Sequence, residues 1–187
     1  MSIFLTGYVL QINISNIPEE GLNLRFSKSG EWFHQFVPAD GGPGFSVRKI
    51  EAGCFVEKVL KNVSVKGTIK ACIELECCRC LEKFSFPLEI EFMDVLSPTE
   101  ELKKDELELS YEDLEYKCYE GDMIELDQIV VEQVILQIPV KPLCNDSCKG
   151  LCPVCGINLN MDTCDHKMQQ INSPFAALKN FKSNREG

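Results

Sequence analysis

The sequence predicts an α+β fold: an antiparallel sheet with a long hairpin, one or two packed helices, and a cysteine-rich, metal-stapled C-terminal segment. Three observations carry this. Val63, Val65, Gly67, Ile69, Ala71, Ile73 and Leu75 alternate with Ser64, Lys66, Thr68, Lys70, Cys72, Glu74 and Glu76, and Phe84, Phe86, Leu88, Ile90 and Phe92 repeat the period after a short connection. A period of two marks strands with one buried face, and two such runs joined at one end make an antiparallel hairpin. Ile129, Val130, Val134, Ile135 and Ile138 then recur at helical spacing and stop at Pro139. Finally, Cys144, Cys148, Cys152, Cys155, Cys164 and His166 crowd into one short stretch, far denser than core packing of thiols requires.

In chain order, residues 1–53 mix short apolar runs with Gly, Pro and Asn, and Leu22, Leu24 and Phe26 read as a strand. Trp32, Phe33, His34 and Phe36 are expected in the core or at its margin, and Asp40–Gly44 forms a loop. On the second hairpin strand Pro87 has no N–H to donate, which places that strand at an edge. Residues 97–113 are polar and acidic and read as a connection between halves, followed by a short strand at Tyr116–Tyr119. Asp127 is expected to N-cap a helix over 128–138. Ser173-Pro174 signals a last, short helix presenting Phe175, Leu178 and Phe181 on one side. The division that follows is an α+β core over 1–143, with its acidic connection near 97–113, and a zinc-knuckle-like segment with a terminal helix over 144–187, packed on the core.

Composition narrows the function classes. Eleven cysteines, with no basic, apolar leader at the N-terminus, point to a reducing cytosol, where clustered thiols hold metal more readily than they form disulfides. No apolar run is long enough to cross a membrane as a helix. The net charge of −10 is concentrated: residues 94–132 hold 14 acidic and 3 basic residues. Such a segment repels nucleic acid and suits either solvation or a basic partner.

The chemistry resides in the cysteines. Cys152-Pro153-Val154-Cys155-Gly156 turns two sulfurs toward one ion, and the hairpin tip Cys77-Cys78-Arg79-Cys80 offers a second pair at the same spacing. Eight candidate donors result: Cys77, Cys80, Cys144, Cys148, Cys152, Cys155, Cys164 and His166. A structural zinc takes four ligands, so two ions would use all eight. The preferred split is a local site of Cys152, Cys155, Cys164 and His166, and a second of Cys77, Cys80, Cys144 and Cys148 that ties the hairpin tip to the segment leaving the helix. The alternative is one ion within Cys144–Cys164, with Cys77 and Cys80 free. Catalysis is not expected. A zinc deaminase needs His-x-Glu upstream of Pro-Cys-x-x-Cys, and here neither His34 nor His166 has a Glu two residues on. The Cys148, Cys152, Cys155 spacing matches radical-SAM enzymes, but the 32 residues after Cys155 cannot build their barrel. Phosphate-loop and GxGxxG patterns are absent.

The order of motifs is similar to a known family. Cys77 and Cys78-Arg79-Cys80-Leu81 are followed by Gly121-Asp122, by Glu132-Gln133 ahead of Leu136 and Pro139, and by Cys148–Gly156 with Asn158, Leu159 and Asn160. Over roughly residues 45–182 this resembles the YceD-type large ribosomal RNA subunit accumulation proteins. The resemblance implies a cytoplasmic, bacterial, non-enzymatic protein that supports synthesis, processing or stability of large-subunit ribosomal RNA during ribosome assembly. Family members differ in whether the tail carries the full cysteine set, which implies a structural metal. Here Asp165-His166 stands where a second tail cysteine often follows Cys164. Arg79, Lys83 and Lys149, with Lys141 and Lys167 nearby, are the candidate RNA contacts. Two other readings are an adaptor that meets a basic ribosomal protein through residues 94–132, and a thiol-redox protein using Cys77 and Cys80.

Overall fold

The computed structural model describes residues 3–4, 10–37, 44–99 and 116–166. Its main sheet has six strands in the order β1-β3-β4-β5-β6-β7, and β2 and β8 form a separate two-stranded ribbon. The strands are β1 (Ile3–Phe4), β2 (Gln11–Asn13), β3 (Leu22–Ser29), β4 (Phe45–Val59), β5 (Asn62–Glu76), β6 (Lys83–Pro98), β7 (Tyr116–Tyr119) and β8 (Met123–Glu125). The helices are α1 (Gly30–His34) and α2 (Leu126–Leu136).

The hairpin expected from the alternation is β5–β6, in continuous antiparallel register from Val63↔Leu96 to Glu76↔Lys83. Val63, Val65, Ile69, Ile73 and Leu75 are buried on one face, while Lys66, Thr68 and Lys70 are exposed on the other. Burying the apolar side chains of one sheet face, at about 1.5–3 kcal/mol each, is what fixes the register. The class is α+β, with parallel pairing confined to the outer strands, β1 with β3 and β6 with β7. Pro87 sits opposite Cys72, and β7 pairs only with Val95–Pro98, so β6 is an edge strand at Pro87 and an internal one further along. Strand β6 thus runs into the acidic stretch as far as Pro98.

Two expectations are corrected. His34 is exposed, whereas Trp32 and Phe33 of α1 are buried. Asp127 does not cap α2. It is the second residue of a helix that starts two residues earlier than expected, and its Oδ2 accepts the Leu10 N–H at 2.6 Å. The Leu126 N–H also donates to Leu10 O, so the residue just ahead of β2 clasps the start of α2. Leu126, Ile129, Val130, Val131 and Val134 bury the helix in the same core as β3–β6. Lys117 of β7 pairs with Asp94 of β6 and Glu132 of α2, tying the three elements together. Residues 40–43 of the loop expected over Asp40–Gly44, Lys167 and the helix after Ser173 lie outside the described residues.

Candidate metal centres

Chain leaving α2 reaches the tip of the β5–β6 hairpin. The Cys78 N–H donates to Pro142 O, and the Leu151 N–H donates to Arg79 O. Arg79 Nη1 donates to the carbonyls of Cys148 at 2.9 Å and Asp146 at 3.3 Å. Gly150 makes this docking geometrically feasible. Its φ is +75°, and a Cβ there would stand 3.0 Å from Arg79 O.

The hairpin tip and the Cys152–Gly156 turn share one backbone design. In each, the first cysteine's carbonyl accepts the N–H four residues on, Leu81→Cys77 and Gly156→Cys152, both at 2.9 Å. The first cysteine's own N–H donates five residues ahead, to Glu82 O at 2.9 Å and Ile157 O at 2.8 Å. Each turn then closes through a left-handed residue, Leu81 at φ 60° and Gly156 at φ 73°. This aims the two thiols of each turn the same way.

All eight predicted donors lie among the described residues, in two groups of four: Cys77, Cys80, Cys144 and Cys148, and Cys152, Cys155, Cys164 and His166. Within each group the donor atoms lie within 4.8 Å of one another, so each group could hold a metal ion. In the first, Cys77 Sγ and Cys148 Sγ are 3.8 Å apart and Cys80 Sγ and Cys144 Sγ 3.7 Å apart. Three of its four cysteines are buried, against one of four donors in the second.

The electrostatics favour thiolates at particular positions. Burial opposes the charged form of Cys77, but N–H donors from Cys144, Cys80 and Arg79 bring its thiol down to about 6. At Cys152 the backbone N–H groups of Cys155 and Val154 do the same, again to about 6. Cys148 is also lowered: burial acts against it, and the Asn160 side chain and Gly150 backbone outweigh burial. Burial and the neighbouring Cys80 thiol push Cys144 up to about 12. Cys80 and Cys164 are raised as well. At Cys80 the Glu82 backbone lowers it but burial and Cys77 prevail, and at Cys164 the Cys152 thiol dominates. Four thiols sharing one space cannot all ionise without a cation among them.

Among the RNA-contact candidates, Arg79 spends Nη1 on carbonyls, Lys83 pairs with Glu74 at 3.4 Å, and Lys141 and Lys149 are exposed. For two residues named in the sequence the structural role was not foreseen. Arg79 braces the docked segment, and Asn160 donates from Nδ2 to Cys148 Sγ at 3.3 Å. The paired asparagines at 158 and 160 were the available signal, since Asn side chains organise tight turns.

Fold and site together define an α+β protein whose C-terminal segment docks on the tip of a sheet hairpin and shares a cysteine cluster with it. The family model described as large ribosomal RNA subunit accumulation protein YceD matches residues 65–182, and the chain belongs to this family. Proteins of Mycobacterium bovis and of two strains of Mycobacterium tuberculosis, each described as uncharacterized, are 31% identical over 151 residues, covering 78% of this chain and 70% of theirs. No solved structure matches it. The family description connects the chain to accumulation of the large ribosomal RNA subunit. Among the described residues, no helix is long and apolar enough to cross a membrane.

Proposed function

We propose that each four-donor group binds a structural zinc ion, and that the chain acts in the cytoplasm as a non-enzymatic factor supporting large-subunit ribosomal RNA during ribosome assembly. The observation that carries the metal reading is the sulfur spacing. Zinc–thiolate bonds of about 2.3 Å in a tetrahedron put sulfurs about 3.8 Å apart, and the separations of 3.8 and 3.7 Å in the first group fit. Four protein donors per ion leave no open coordination position, so the metal holds structure and does not activate water. A redox couple of Cys77 and Cys80 fits less well, because both face Cys148 and Cys144 as closely as metal ligands do.

The RNA reading rests on the family and on placement. Arg79 and Lys83 at the hairpin tip and Lys149 in the docked segment share the end of the molecule that the metals organise. Direct contact of that end with large-subunit RNA is preferred to an adaptor role for residues 94–132. Lys117 already pairs Asp94 and Glu132, and Asp127 is buried, so part of that acidity belongs to the fold. The test is capture of tagged protein from crosslinked cells, with RNA and proteins identified from the same sample. Large-subunit RNA crosslinked near Lys149 is the expected result. One basic ribosomal protein, with no RNA crosslink, would favour the adaptor and overturn this reading.

A further inference from the structure

The two donor groups are mechanically joined. Cys148 of the first and Cys152 of the second are separated by Lys149-Gly150-Leu151, and the chain after Gly156 folds back over that link. Leu151 and Asn158 form an antiparallel bridge, and the Leu159 N–H donates to Gly150 O at 2.9 Å. Asn158 organises the return. Its Oδ1 accepts Asn160 N and Nδ2 at 3.0 and 2.9 Å, and its carbonyl accepts the N–H groups of Met161 and Asp162. Asn160 then reaches the other centre. Its Oδ1 accepts the Lys149 N–H at 2.8 Å, and its Nδ2 donates to Cys148 Sγ at 3.3 Å.

We propose, resting on the reading of both groups as metal centres, that Asn160 is a positioning residue coupling them, so that filling the Cys152 centre tightens binding at the Cys77 centre. The physical cause is order. A metal held by Cys152, Cys155, Cys164 and His166 fixes both ends of the loop carrying Asn158 and Asn160. The Asn160 side-chain Nδ2–H then meets the Cys148 thiolate without the entropy of ordering that loop being lost a second time. Hydrogen bonds to metal-bound thiolates tune affinity, and removing such outer partners typically weakens binding about 10–100-fold. Coupling between sites is reciprocal, so the first centre tightens the second by the same factor.

The full chain can be titrated with cobalt(II) against a competing chelator, because tetrahedral four-sulfur and three-sulfur, one-nitrogen centres give different visible spectra. In wild type both spectra develop. Cys164→Ser with His166→Ala removes the second spectrum, and the four-sulfur centre is expected to weaken by about 5- to 100-fold. Asn160→Ala, and Asn160→Asp, which retains the acceptor for Lys149 but loses the donor, should weaken the four-sulfur centre comparably while the second spectrum still forms. In the Asn160→Ala background, the Cys164 and His166 substitutions should have little further effect. Unchanged four-sulfur affinity in both Asn160 variants, or an equal Cys164/His166 effect in both backgrounds, would overturn the coupling and leave the metal reading intact. Absence of either cobalt spectrum in wild type would remove the metal reading itself, and the coupling with it.

Discussion

Left-handed backbone at three positions decides how the cysteine turns close and dock. Gly156 has open space where a Cβ would go, so Gly156→Ala is expected to cost only the backbone term, about 1 kcal/mol. Gly150 carries the same φ penalty and also faces Arg79 O, so Gly150→Ala should cost clearly more. Leu81 is mostly exposed and already strained at φ 60°, so Leu81→Gly should leave stability unchanged or raise it by up to about 1 kcal/mol. Denaturant unfolding of the three metal-loaded variants checks the ranking. Asp127 poses a different question. Burial raises its pKa above the ordinary carboxylate value, against the Leu10 N–H bond that favours the charge. A raised folded-state pKa contributes stability that is fully present below the unfolded pKa and lost as pH rises through the folded one. The stability of wild type relative to Asp127→Asn should therefore fall as pH rises through that acidic window. A difference between the two proteins that does not change with pH would contradict it.

Among the elements, β5 was legible because its inward positions are apolar and most of its outward ones polar, and the hairpin followed from β6 repeating the period. Strand β4 is as long as β5, yet no strand was expected there. A register shift between Val47 and Lys49 makes Arg48 an extra residue, so the buried positions Val47 and Ile50 fall three apart and the period of two breaks. Gly53 in the same strand weakens its propensity further. The start of α2 was misread for a related reason. Asp127 looks like a cap locally, but its partner is Leu10, 117 residues away, and sequence patterns do not record such distant bonds. The eight candidate donors fall into two clusters; the pairs Cys77/Cys80 and Cys152/Cys155 were the legible part, because a two-residue separation constrains local turn geometry. The roles of Arg79 and Asn160 were not legible, since both depend on which surfaces dock. This division of labour gives an expectation for metal removal. The β5–β6 hairpin is held by its own buried face, whereas residues 142–166 have few buried apolar side chains. After chelation, amide exchange should accelerate across 142–166 while the hairpin interior keeps its protection. Uniform acceleration through Ile69 and Ile73 would show instead that the metals support the whole fold.

For the molecule as a whole, the sheet and α2 share one buried core, and the C-terminal segment docks at the hairpin tip, where Cys144 and Cys148 meet Cys77 and Cys80. Structural zinc at such sites contributes on the order of 10 kcal/mol of apparent free energy, ample to hold a segment with little core of its own. The docking brings Lys149 to the hairpin end that carries Arg79 and Lys83. On the proposed reading, large-subunit RNA accumulation, the property named for the family, rests on presenting a metal-organised end rather than on catalysis. Native mass spectrometry of the intact chain, expressed with ample zinc, tests this most directly. Two metal ions per chain, falling to one in the Cys77→Ser, Cys80→Ser variant, is the expected result. Fewer than two ions in wild type, or two retained in that variant, would contradict it.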